Sequence, residues 1–383
     1  MSDLKQRATE RFAAVEDDLR KLSRWMYDNP EVAFEERATS EALARFLGTH
    51  GFTVERPAFG VETAFAARAG SSGPEVVICC EMDALPDVGH ACGHNIIATA
   101  ALGAGAAVAE MADELGCRVT VLGTPAEERF GGKVDLIEAG AFAGAAAAMM
   151  VHPTYYDLVD PEVIAVVHVD IDFSGHESHA SGAPHLGRNA LDAAVQAYVN
   201  VSMLRQQILP TDRVHGIITD GGAAPNIIPG HTAMSWYVRA HSDERLDELF
   251  PKVTACFEAA AAATGCLVDM RMMGHRYKDM RSDPLLVGLY AANSEAIGRP
   301  MPRRADAGDP GIGSTDMGNV SYEVPSIHPM LDIHCSPAVN HQKEFAAHTV
   351  TADGDRAIRD GALAMAGTII DLAEGDLWSG LST

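Results

Sequence analysis

Three short apolar runs, each ending in residues that can bind a metal or move a proton, constrain this chain most. They are "EVVICCEMDA" (75–84), "CRVTVLGTPAEE" (117–128) and "AAAAMMVHP" (145–153). Their length and flanking turn residues predict buried strands. Between the first two lies "IIATAALGAGAAVAEMADEL", a run of small residues that predicts a closely packed helix. Strands alternating with helices predict a mainly parallel sheet covered on both faces. In such sheets ligands sit beyond the carboxyl ends of the strands. Here the chemically loaded residues follow strand ends three times: Asp83 to His94, Glu127-Glu128, and His152.

The flanking sequence adds helices over 3–27, closed by Asn29-Pro30, and over 36–48, before Gly51. The middle changes character. "VIAVVHVDIDFSG", "VHGIITDGG", "HTAMSWYVRAHS" and "GCLVDMRMMG" read as strands, with helices near 187–206 and 244–264. The order strand, helix, strand, strand, helix, strand predicts a small antiparallel α+β unit of ferredoxin-like type. The expected organisation is a discontinuous α/β domain, 1–167 and 282–383, carrying an inserted domain over 168–281. A helix is expected at 284–297 and a helical region over 341–373.

The chain has 383 residues, 47% of them hydrophobic, enough for a substantial core. Its formal charge is -24, which argues against a nucleic-acid partner and against an anionic membrane surface. No uninterrupted apolar run of about 18 residues is visible, and "AGAFAGAAAAMMVH" comes nearest. The N-terminal stretch has no apolar core of a secretory leader. Seven cysteines, an odd number, then fit reduced thiols and a cytoplasmic location.

The segment "EMDALPDVGHACGHN" (81–95) carries the densest chemistry. Taken singly, Cys92 and His94, the Glu127-Glu128 pair, and His152 before Pro153 each suit a structural or surface role. Taken together, three strand ends of one sheet bring Cys92, His94, Glu128 and His152 into one region. That set suits a dinuclear metal site, with one further histidine needed from elsewhere. Thiolate and imidazole favour zinc, and carboxylate widens the choice to manganese or cobalt. Two such ions can polarise a carbonyl in metal-assisted hydrolysis. Adjacent Glu127 and Glu128 are expected to point apart, one ligating while the other faces the attacking water as general base. A rival reading makes Cys92 a nucleophile beside His90 or His94. It has no use for Glu127, Glu128 or His152.

In order along the chain, "EMDALPDVGHACGHN", "GTPAEE", "VHP" and "GHESHASGAPHLGRNALDA" resemble the dinuclear metallopeptidase and amidohydrolase family of aminoacylases, glutamate carboxypeptidases and indole-acetyl-amino-acid hydrolases. "GSTDMGNVSYEVPSIHP" resembles its p-aminobenzoyl-glutamate hydrolase and dipeptidase-like branch. The resemblance covers nearly the whole chain. It implies two divalent metal ions held by Cys92, His94, Glu128, His152 and His341, with His334 and His348 as neighbouring alternatives for the last. It implies Glu127 as general acid/base and Asp83 as the residue orienting a ligand imidazole. The family's His-x-Asp segment reads Glu81-Met82-Asp83 here, one imidazole fewer, with His94 in its place. The inserted domain is implied to be a lid that also forms a homodimer. His179, ahead of His176 and His185, is implied to stabilise an oxyanion, and Asn226 and Arg239 to hold a substrate with a free carboxylate. The activity implied is cleavage of the amide bond of an N-acyl amino acid or dipeptide-like molecule. Two other readings stand beside it: a cysteine amidase, and a non-catalytic partner subunit. The second is countered by the completeness of the residue set. The role of His90 stays open.

Overall fold

The computed structural model describes residues 2–308 and 311–382. The chain divides into two compact units, residues 1–162 with 280–383 and residues 163–279. In chain order the strands are β1 (Thr53–Glu55), β2 (Phe65–Ala69), β3 (Glu75–Glu81), β4 (Arg118–Thr124), β5 (Ala147–Met149), β6 (His152–Thr154), β7 (Ala165–Ser174), β8 (Ser178–His179), β9 (Arg213–Asp220), β10 (Ile227–Ile228), β11 (His231–Ala240), β12 (Leu267–Met272), β13 (Ser326–Ile327) and β14 (Met330–Asp332).

The first unit is built on a sheet of order β1-β2-β4-β3-β5-β13. Strands β4, β3, β5 and β13 run parallel, and β2 and β1 extend the edge antiparallel. In β3 the apolar run is continuous because both faces are covered. Val76, Ile78 and Cys80 join one core, while Val77 and Cys79 join another on the opposite face. The first core lies under three helices, Asp3–Asp28, His94–Val108 and Ala352–Glu374. Small residues let these helices approach closely. A Cβ on Gly103 would come 2.8 Å from Phe12 and 3.0 Å from Ala362.

Three details of the reading change. Strand β4 stops at Thr124, because Pro125 has no N–H to continue the ladder and Ala126 turns the chain at φ 61°. The run 145–153 breaks in two: β5 pairs with β3 and β13, while β6 pairs with β14. The C-terminal helical region splits into Lys343–His348 and Ala352–Glu374, the second capped by the Thr351 hydroxyl. Among the described residues, the stretch nearest to a membrane span in length and composition is His94–Leu115, not 139–152. Nearly all of it is buried in the first unit, as a core helix.

The second unit is an antiparallel sheet of order β12-β7-β11-β9 with helices Ala190–Leu204 and Asp243–Thr264. Its strands alternate as half-buried strands should. Val167, Val169, Ile171 and Phe173 of β7 and Met234, Trp236 and Val238 of β11 form the core with Phe257. The unit begins a few residues before the expected 168, because all of β7 from Ala165 pairs within this sheet.

Candidate metal centre

The loop after β3 delivers the first donors. Gly93, between Cys92 and His94, caps the helix His94–Val108 at φ 84°. A Cβ there would lie 2.4 Å from the Pro153 ring. Only glycine therefore lets the Cys92 and His94 side chains turn toward one point against the strand that carries His152. Asp83, buried just beyond β3, fixes the imidazole: its Oδ1 lies 3.1 Å from His94 Nδ1. Nδ1–H then donates to the carboxylate, and Nε2 keeps a lone pair for a ligand. The other oxygen, Asp83 Oδ2, accepts from the Glu128 backbone N–H at 3.0 Å.

The remaining strand ends meet that imidazole. His152 Nδ1 donates to its neighbour's carbonyl, Pro153 O, at 2.9 Å, which leaves Nε2 facing Cys92 Sγ at 3.4 Å. Cys92, His94 and His152 offer donor atoms within 4.8 Å of one another. So do Cys92, Glu128 and His341. Cys92 belongs to both groups. His341 reaches the site from a turn with φ 72°, its N–H bonded to Ala91 O at 2.7 Å, and its Nε2 lies 3.5 Å from Glu128 Oε2. His334 instead faces Asp353 at 3.7 Å.

Glu127 and Glu128 fall in different donor groups, Glu127 with Glu81 and His94 and Glu128 with Cys92 and His341. Glu127 Oε2 and Glu128 Oε1 lie 3.8 and 3.7 Å from the same His94 Nε2. The turn at Ala126, with φ 61°, leads the chain into them. Ala126 is held by Glu36, whose Oε1 accepts its N–H at 2.9 Å.

Sequence reasoning overlooked Glu81, Lys133, Asp316 and His328. Glu81, Lys133 and Asp316 are fully buried, and Lys133 Nζ bonds Glu81 Oε1 at 2.5 Å and Asp316 Oδ1 at 2.6 Å. Glu81 Oε2 lies 3.4 Å from His94 Nε2. Glu81, His94 and Glu127 form a third group of donors within 4.8 Å. His328 is buried, its ring 5.4 Å from that of His152. The one local signal was an acid closing an otherwise apolar strand at Glu81.

The electrostatics suit cations. Glu81 Oε2, His94 Nε2 and Glu128 Oε1 are buried without a hydrogen-bond partner, a costly state that a bound cation relieves. Burial, then the charges of Glu81 and Glu128, push the Glu127 carboxyl well above its usual range. Burial opposes charge on His94, yet Asp83, Cys92 and Glu81 outweigh it and raise its pKa. His152 is lowered to about 3 by burial first and then by His328. His90, buried nearby, is lowered to about 3 by burial and by His94, and is neutral. Burial, then Glu128, raises the Cys92 thiol well above its ordinary value. A cysteine nucleophile needs the opposite shift, so the cysteine-amidase reading is not favoured.

The second unit brings two expected residues together. β8 and β10 pair with His179 opposite Ile227, and the Ala180 N–H donates to Asn226 O at 3.0 Å. His179 Nδ1 accepts from the N–H groups of Gly182 at 3.0 Å and Ser181 at 3.3 Å. Its proton therefore sits on Nε2, a donor on an exposed ring. Arg239 is half-buried in the interior strand β11, its guanidinium 5.7 Å from the Tyr237 ring. His176 bridges to Arg188, and His185 lies in the short turn Pro184–Leu186.

A helix-flanked sheet interrupted by an antiparallel unit, with donors gathered at its strand ends, is the build of a two-domain peptidase or amidohydrolase. Residues 165–265 match the M20 peptidase dimerisation domain. The chain is 43% identical to an Xaa-Arg dipeptidase of Mus musculus over 356 residues, 89% of this chain and 82% of the relative. Against an Xaa-Arg dipeptidase of Homo sapiens it is 38% identical, covering 96% and 88%. A dinuclear metal binding peptidase of the M20 family from Bacillus subtilis shares the fold at TM-score 0.71 and 19% identity, covering 94% and 99%. The chain belongs to the M20 peptidase family.

Proposed function

We propose that this chain is a metal-dependent hydrolase that cleaves the amide bond of dipeptides or N-acyl amino acids and releases an amino acid. The observation that carries the reading is the pair of donor groups sharing Cys92. The donor set of one thiolate, three imidazoles and carboxylate fits two divalent ions, zinc first and manganese or cobalt as alternatives. When bound, such ions supply Lewis acidity to the scissile carbonyl and acidify water.

The chain's own residues do the rest. Cys92, His94, His152, Glu128 and His341 are the ligands in this reading, and Asp83 orients His94. Glu127 takes a proton from the attacking water and returns it to the leaving nitrogen. Its raised carboxyl pKa, from burial and neighbouring acids, fits it to hold that proton between the two steps. His179 donates from Nε2 to the developing oxyanion. Asn226 and Arg239 hold the free carboxylate, which a guanidinium grips with two parallel bonds. Substrates of the Xaa-Arg type are the first class to test, given the names of the mouse and human relatives. A net charge of -24 would favour approach of such a cationic molecule.

The second unit is the proposed homodimer interface. It leaves Ile217 of the edge strand β9 63% exposed, and Val195 and Met203 of the helix Ala190–Leu204 also stand in solvent. Exposed apolar side chains beside an unpaired strand edge are a usual docking surface. The location we propose is the cytoplasm, on the grounds of seven free cysteines.

The test is a screen of dipeptides and N-acyl amino acids with metal-reconstituted protein, scoring the released amino acid. Turnover of substrates with a free carboxylate, and none of their amidated forms, is expected. No hydrolysis with zinc, manganese or cobalt would overturn the reading.

A further inference from the structure

Glu81, Lys133 and Asp316 form a closed trio in the first unit. All three side chains have no exposure. One ammonium serves two carboxylates, so the ionised trio carries one negative charge in excess. Asp316 is fully engaged: Oδ1 takes the ammonium and Oδ2 accepts the Lys133 backbone N–H at 3.0 Å. Glu81 is not. Its Oε1 is bonded to Lys133, while Oε2 has no hydrogen-bond partner and lies 3.4 Å from His94 Nε2. That nitrogen is itself buried and unpartnered, because His94 spends its other nitrogen on Asp83. A carboxylate oxygen and an imidazole lone pair that face each other at this distance repel unless a proton or a cation stands between them. A buried excess charge is costly unless paired. Both requirements are met by one cation beside His94.

From this geometry we infer that Glu81 is a ligand of the ion held by His94, and that Lys133, itself clamped by Asp316, is the positioning residue that aims it. Lys133 takes one oxygen of Glu81 and so leaves a single, oriented oxygen for the metal. Glu81 thus contributes the anionic charge that an imidazole in its place could not. The inference rests on the dinuclear reading proposed above and adds a ligand to it.

The test is a cobalt(II) titration of metal-free full-length protein, followed by visible absorption and metal count per chain, for wild type, Glu81→Gln and Glu81→Asp. Glu81→Gln keeps the shape and leaves Lys133 and Asp316 as a neutral pair. Glu81→Asp keeps the charge and withdraws the oxygen by one methylene. Wild type is expected to bind two equivalents. Both variants should bind one of them at least 10-fold more weakly, with altered ligand-field bands and retained thiolate charge-transfer absorption. Melting gives a second readout that does not need activity. Glu81→Gln should gain less in melting temperature on cobalt addition than wild type does. If both variants match wild type in affinity, spectrum and melting, this inference falls and the dinuclear reading stands. If wild type itself takes up no cobalt, the dinuclear reading falls and this inference falls with it.

Discussion

Asp83 holds His94 and Glu128 in one grip: Oδ1 meets the His94 imidazole at 3.1 Å and Oδ2 accepts the Glu128 N–H at 3.0 Å. One buried carboxylate at a strand end thereby sets both the tautomer of one candidate ligand and the backbone of another. Asp83→Asn offers an amide that can accept at only one of these points. We expect metal affinity to drop about 10- to 100-fold, measured by competition with a chromophoric chelator. Unchanged affinity would remove Asp83 from the centre.

Glu36 does the same for the proposed general base, Glu127. It accepts the N–H of Ala126, the residue at φ 61° that turns the chain into Glu127. Burial first, and Asp83 second, raise its carboxyl from 4.5 to about 7. Between those values the folded state keeps a proton that the unfolded chain releases. Stability therefore falls as pH rises through that window. Glu36→Gln, which cannot ionise, should flatten the pH dependence of the melting temperature between about 4.5 and 7. A slope equal to wild type would contradict the assignment.

His179 is a donor by virtue of its backbone contacts. Gly182 and Ser181 give their N–H groups to Nδ1, so the proton is left on Nε2. His179→Ala should lower kcat about 10²- to 10³-fold, as loss of an oxyanion donor does, with metal content unchanged. Steady-state kinetics beside a metal count checks this. Wild-type kcat would refute the role.

The apolar edge of the second unit makes its own prediction. Ile217→Asp puts a charge on an exposed position of β9. Sedimentation velocity should show a dimer for wild type and a monomer for the variant, both folded. A monomeric wild type would end the interface proposal.

Much of this was legible in the sequence because it is local. Continuous apolar runs marked β3, β4 and β5, and the residues just after them supplied Asp83, Cys92, His94, Glu127, Glu128 and His152. Alternation marked β7 and β11 of the second unit. What was missed is long-range or depends on special backbone angles. Lys133 and Asp316 are 183 residues apart, and nothing in either neighbourhood announces the other. The chain enters Glu127 and Glu128 through a positive φ at Ala126, a conformation a non-glycine residue rarely adopts. Glu81 read as a lost histidine because its partner Lys133 lay out of sight.

The most direct test of the whole account is amide hydrolysis measured before and after exhaustive chelation, with metal counted in the same samples and Glu127→Gln alongside. The account predicts two ions per chain in active protein, loss of activity on their removal, and recovery when zinc, manganese or cobalt is returned. It also predicts a metal-loaded Glu127→Gln slower by about 10²- to 10⁴-fold. Full activity in metal-free protein, or in Glu127→Gln, would contradict it.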